Sequence, residues 1–212
     1  MPLLASGAHP RGPQDLDFSE RVLIINGKDK GISLTLAFPK PDEIVDWTVG
    51  GEVDANETFS RALTLRFRYK GYFWQGVFGT VGLDVNIKSR KGELEPWKNF
   101  NNLLDSVSLN QRVRNQATFN ENSKSRREWK DPFLSQLNGT KCVQQYVQVG
   151  YQAKDEIHYY FLLDDDHALE IVFLLVDNSD RPGLGPSDWR PRAEEFLNRL
   201  LSEIKVSPVL VR

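Results

Sequence analysis

Cysteine is nearly missing from this chain of 212 residues: Cys142 is the only one. A single thiol excludes an internal disulfide and any metal cage built from several cysteines of one chain. Histidine is almost as scarce. His9, His158 and His167 are all there are, so designs that move protons through imidazole are thinly supplied. No excess of positive charge exists either, since 27 basic residues stand against 29 acidic ones. The basic footprint that nucleic-acid binding leaves is therefore absent. The longest unbroken apolar run, Ile171 to Val176, falls far short of the roughly 20 residues of a membrane-crossing helix. Familiar phosphate and nucleophile motifs are missing too: no GxxxxGK[ST] loop, no GxGxxG opening a helix, no GxSxG elbow.

What remains is the composition of a folded domain, 40% hydrophobic and 26% charged. Residues 1–17 read as a flexible tail or the remnant of an export signal, because "LLASGA" has small-residue character without a full apolar stretch before it. Residues 18–206 read as one domain and 207–212 as a short tail. Arg21–Ile25 and Ile32–Phe38 are predicted strands, with Asn26 and Gly27 as hairpin-turn chemistry. In "RALTLRFRYKG", Leu63, Leu65, Phe67 and Tyr69 alternate with Thr64, Arg66 and Arg68, which predicts a strand with one buried and one wet face. Val81–Ile87 is of the same type.

The segment "EPWKNFNNLLDSV" predicts a helix with Pro96 in its first turn and an apolar stripe of Trp97, Phe100, Leu103, Leu104 and Val107. The polar stretch 120–132 reads as a surface loop or a disordered connection. Alternation resumes with Cys142, Gln144, Tyr146 and Gln148 opposite Val143, Val147 and Val149. The strand 169–176 is apolar on both faces and interrupted only by Glu170, so it belongs at a covered sheet centre. A closing helix carries Phe196, Leu197, Leu200, Leu201 and Ile204 on one face, capped by Ser187 or Asp188, with Pro191 in its first turn. Short turns between successive strands predict a mostly antiparallel sheet. About two helices would cover one of its faces, as a single α+β domain.

The densest group of potential metal ligands is Asp164, Asp165, Asp166 and His167. A calcium loop starting at Asp164 would need ligands where Ala168 and Leu175 stand. His158 would lie roughly 20 Å down its strand from the corner, at about 3.3 Å per residue. The acids therefore read as a turn, which aspartate favours because its side chain bonds nearby backbone N–H groups. Cys142 reads as packing. No catalytic residue, cofactor site or metal site is assigned. The sequons at Asn56 and Asn138 carry little weight. Candidate partner-binding residues are the aromatics Tyr72, Phe73, Trp74 and Phe78 on a glycine-rich hairpin, and Arg126, Arg127 and Trp129 in the polar loop, since aromatic and arginine anchors dominate interfaces. The other reading makes the hairpin aromatics core residues or a cap on one end of the sheet, and Trp129 a loop aromatic folded back onto the domain.

Over residues 135–206, "LNGTKCVQQYVQVGYQ", "HYYFLLDDDHALEIVFLLVD" and "DWRPRAEEFLNRLLSEIKV" form a strand, strand, corner, strand, loop and helix pattern. It resembles bacterial periplasmic proteins with Mog1/PsbP-like folds, and most of all immunity proteins that neutralise type VI secretion effectors. The resemblance implies a non-enzymatic, periplasmic protein that occludes a protein partner, with a signal or lipid anchor trimmed away. A cytoplasmic location is the alternative. The other function classes are a small-ligand or lipid-binding domain or hydrolase-type enzyme with a pocket between sheet and helices, and an accessory subunit of an envelope assembly. A cavity with converging polar groups would point to a ligand; a flat surface with protruding loops would point to a protein.

Overall fold

The alternating stretches become the strands of one large antiparallel sheet. The computed structural model describes residues 10–13, 19–26, 30–38, 45–49, 59–71, 76–90, 96–119, 127–149, 154–178 and 188–210. Among them, β3 (Val45–Val49), β4 (Phe59–Lys70), β5 (Val77–Ser89), β6 (Arg127–Trp129), β7 (Phe133–Leu137), β8 (Thr140–Val149), β9 (Lys154–Leu162) and β10 (His167–Asp177) form the main sheet. Its order is β3-β4-β5-β10-β9-β8-β6, with β7 also paired to β8. A smaller antiparallel sheet joins β1 (Ser19–Asn26), β2 (Lys30–Phe38) and β11 (Lys205–Leu210). Two helices complete the α+β domain, α1 (Phe100–Phe119) and α2 (Trp189–Glu203).

β10 holds the centre of the main sheet between β5 and β9, as its two apolar faces require. Its odd-numbered residues Leu169, Ile171, Phe173 and Leu175 join Leu63, Leu65 and Phe67 of β4 and Leu83 and Val85 of β5 in one buried layer. Helix α2 closes that layer with Trp189, Ala193, Phe196 and Leu200. The Phe67 and Phe196 rings meet edge to face at 4.9 Å, and the Tyr69 and Trp189 rings lie 5.8 Å apart.

The expectation that both helices cover one face is corrected by the second core. Leu103 and Val107 of α1 pack with Trp97, Val143, Tyr160 and Ala168. These strand residues alternate with Cys142, Phe161 and Leu169 of the α2 layer, so α1 lies on the opposite face. The physical reason is the two-sided apolarity of β10 and its neighbours, which one layer of helices could not bury.

Helix α1 starts later and runs longer than the stripe suggests. Asn99 caps it, its Oδ1 accepting from the N–H groups of Asn101 and Asn102. Pro96 and Trp97 lie ahead of the helix, and the Trp97 N–H donates to the Asp165 carbonyl. Two other boundaries also move. Arg127–Trp129, expected in a loop, pairs with Val147–Val149 as β6. The stretch expected as a tail after residue 206 continues as β11, which pairs with β2 through Leu210.

The β7–β8 hairpin turns on Asn138 and Gly139, both at positive φ, 49° and 86°, in the two-residue geometry such a pair favours. Asn138 Nδ2 donates to the carbonyls of Leu201 and Ile204, and Thr140 Oγ1 to that of Val206. This hairpin tip is thereby fastened to the end of α2. The Asn26–Gly27 turn lies partly outside the described residues.

Candidate functional site

The aspartate cluster is a corner. Asp164 Oδ1 accepts from the backbone N–H groups of Asp166 and His167 at 2.8 and 2.7 Å, and the Asp164 carboxylate meets His167 Nδ1 at 2.9 Å. Asp166 is held by Arg90 at 2.7 Å. The side chains are thus engaged in closing the β9–β10 connection, as aspartate does in turns.

The chemistry gathers elsewhere, on the α1 face. Strand periodicity puts Arg66 of β4, Asp84, Asn86 and Lys88 of β5, Glu170, Val172 and Leu174 of β10, and Glu156 and His158 of β9 on that face. Cross-strand register then brings them together: Asp84 opposes Val172 and Thr64, Asn86 opposes Glu170, and Glu170 opposes Tyr160. Together with Arg127 and Trp129 of β6 and Arg114 of α1, they line an open groove of about 620 Å³. That volume is in the range of small-molecule sites.

Charges of alternating sign run across the groove floor. The Arg127 guanidinium meets Glu156 at 3.1 Å, Glu156 meets His158 Nε2 at 3.2 Å, and His158 Nδ1 meets Glu170 at 3.0 Å. Lys88 Nζ then meets Glu170 at 2.7 Å. One strand further out, Arg66 grips Asp84 with two parallel hydrogen bonds of 2.8 and 2.9 Å. Gly82 makes room for that reach, because a Cβ there would come within 2.8 Å of the Leu174 side chain and 3.1 Å of the Arg66 guanidinium. Arg114 stacks over the Trp129 ring at 4.3 Å, and the Trp129 and His158 rings stand 5.2 Å apart.

Burial and charge oppose each other here. Burial alone would lower the His158 pKa, but hydrogen bonds to Glu156 and Glu170 outweigh it and hold the imidazole above its ordinary value. With a carboxylate at each ring nitrogen, both nitrogens act as donors, which is the imidazolium form. Burial would raise Glu170, yet Lys88 and His158 hold its carboxyl well below the usual carboxylate range. For Lys88 burial dominates over the Glu170 attraction and lowers the ammonium. Tyr160 is pushed well above its usual value, first by burial and then by the Glu170 charge.

Of the residues singled out from the sequence, Arg127 and Trp129 come together here as one wall of the groove. Phe78 does not; it is 0% exposed in the α2-side core and has no surface to offer a partner. Tyr72, Phe73, Trp74 and Arg126 lie outside the described residues. Cys142 is fully buried, and burial pushes its thiol up to about 11, in line with a packing role. The groove's central members, Lys88, Glu156, His158 and Glu170, carried only faint sequence signals. "DEIHYY" places Glu156 and His158 on one strand face, and Glu170 is the sole interruption of an apolar strand.

Neither a family model nor a curated protein matches the sequence. Among solved structures, the chain aligns with LpqN, described as involved in cell envelope biogenesis of Mycobacterium tuberculosis. The identity is 10% and the TM-score 0.40, with 92% of this chain and 94% of that one covered. No described helix is long and apolar enough to cross a membrane.

Proposed function

We propose that this chain is a non-enzymatic binding protein whose recognition site is the groove between α1, β6 and the central strands. The carrying observation is an open, polar-lined cavity of about 620 Å³ on the face of the sheet that α2 does not cover. A ligand site requires such a concavity with convergent polar groups. Its titratable groups support binding over catalysis. Both nitrogens of His158 are spent on carboxylates, and Glu170 is held between Lys88 and His158. A general base needs a free lone pair within reach of substrate.

A second reading, an immunity protein occluding a secreted bacterial effector, draws on the placement of Arg127 and Trp129 at the groove wall, since such residues anchor interfaces. Location in the bacterial envelope belongs to this proposal and rests on the resemblance of residues 135–206.

Site-directed cross-linking tests the groove. Cys142 is buried, so an introduced cysteine is the one accessible thiol among the described residues. A photo-cross-linker on Asn110→Cys, one helical turn from Arg114 on the same side of α1, should capture a discrete species from the native cell extract. The same group on Glu195→Cys of α2 should not. Equal capture at both sites, or none at Asn110→Cys, removes the groove as the recognition site.

A further inference from the structure

In the three groove ion pairs made by arginine or lysine the cation is the more exposed member. Side-chain exposure is 26% for Arg66 against 13% for Asp84, 21% for Lys88 against 4% for Glu170, and 49% for Arg127 against 9% for Glu156. The carboxylates lie beneath, where they orient the basic groups, and what an incoming molecule meets is guanidinium and ammonium. Arg114, half-buried above Trp129, adds to the same rim. With His158 protonated, five cationic side chains line the groove against three carboxylates. Arginine donors in fixed orientation suit the planar or tetrahedral oxygens of carboxylate and phosphate.

Two further features narrow the class. Asn86 is 4% exposed, and no donor among the described residues reaches its buried Oδ1. Its Nδ2 is spent on Glu170, so the amide oxygen of this lining residue is a buried lone acceptor, and a buried acceptor calls for a hydrogen-bond donor. Val172 and Leu174 add apolar surface to the lining, beside the Trp129 wall.

We propose that the groove binds a small organic anion: a carboxylate or phosphate ester with a compact apolar body and a hydroxyl next to the acidic group. The anion sits on the Arg66, Lys88, Arg114 and Arg127 side chains, and the hydroxyl donates to Asn86 Oδ1. This assignment rests on the groove being the recognition site.

The test uses the full chain and titrates four probes of one size, namely phenylacetate, mandelate, phenyl phosphate and benzylammonium, followed by the Trp129 indole N–H in two-dimensional NMR. The three anions should shift that signal saturably, and benzylammonium should not. Mandelate should bind at least threefold more tightly than phenylacetate, and Asn86→Leu should remove that advantage. Arg127→Gln with Arg114→Gln should weaken all three anions tenfold or more, while Lys98→Gln, outside the groove, should leave them unchanged. Since Arg127 is half exposed, Arg127→Gln alone serves as a milder variant that keeps the fold, and its spectrum verifies this.

Dihexanoyl phosphatidate separates two sources of the anion. Binding tighter than phenyl phosphate assigns it to a lipid headgroup, and weaker binding to a free metabolite. Benzylammonium binding as well as the anions, or Lys98→Gln weakening them equally, overturns the proposal. Equal affinity for mandelate and phenylacetate overturns the hydroxyl contact. A neutral or cationic species captured at Asn110→Cys, with the anions silent, overturns the anion assignment and leaves the binding reading intact. Anion shifts that avoid the groove, with nothing captured at its rim, overturn both.

Discussion

The two faces of the main sheet are built from the same strands yet solve opposite problems. Toward α2, β4, β5 and β10 present Leu63, Leu65, Phe67, Leu83, Val85, Ile171 and Phe173, all fully buried. Toward α1, the alternate positions of the same strands present Arg66, Asp84, Asn86, Lys88 and Glu170. Apolar burial stabilises at roughly 25 cal/mol per Å², so the first face holds the fold together. Buried ion pairs lose in desolvation much of what they gain in attraction, so the second face contributes little net stability for the number of groups it orders. A central strand that carries Glu170 inside an apolar run serves more than apolar packing, since that carboxylate meets Lys88 and His158.

The largest loss of stability is expected on the apolar face. Phe67→Ala should cost about 4 kcal/mol in denaturant unfolding, through lost burial and the cavity left against Phe196. Unchanged stability would mean that the α2 layer is not the main core. Glu170→Gln comes next, at about 3 kcal/mol, because it leaves the half-buried Lys88 and the buried His158 without their shared counter-charge.

Replacing the whole set sharpens the contrast. Lys88→Met, His158→Phe and Glu170→Leu together should change stability by only about 1–2 kcal/mol, in either direction, while abolishing phenyl phosphate binding. A triple variant as unstable as Glu170→Gln alone would make the charged row a structural element.

Below the alkaline range in which Cys142 and the buried tyrosines of the α2 layer titrate, the pH dependence should come from the charged face. Glu170 is depressed, so its contribution is complete above its ordinary pKa of 4.5 and is lost as pH falls toward its folded value. His158 is raised, so its contribution is complete below its ordinary 6.5 and is lost as pH rises through its folded value. Tm should therefore fall on both sides of a plateau between these limits, and His158→Phe should remove the decline on the alkaline side. Decline on that side persisting in His158→Phe would assign it to another group. The smallest effect is expected at Arg127→Ala, below about 1 kcal/mol for a half-exposed pair, although anion binding should weaken measurably.

Much of the apolar face could be read directly. Period-2 alternation in β4, β8 and β10 and the three-to-four spacing of α2 identify inward residues without reference to partners. The same alternation listed Thr64, Arg66 and Arg68 as a wet face, which was correct as far as one strand can tell. Nothing in the sequence showed that β5 pairs with β10 such that Asn86 opposes Glu170, or that β9 then brings His158 beside it. Asn138–Gly139 is a legible hairpin signal, since both residues tolerate the positive φ they adopt. The aromatic hairpin looked like an anchor because large aromatics serve cores and interfaces equally, and Phe78 went to the core.

Local and periodic features are legible in the chain alone: an α+β composition, the two-sided apolarity of β10, the aspartate corner, and the amphipathic closing helix. Each depends on side-chain chemistry repeating at a backbone period, which neighbouring residues alone establish. What only the tertiary structure decided is the side of the sheet on which α1 lies and the union of Arg66, Lys88, Arg127, Glu156, His158 and Glu170 into one groove. Those residues come from five strands of the sheet, spread from position 66 to 170. Their meeting depends on register between strands distant in sequence, which is selected by the burial of the opposite, apolar face.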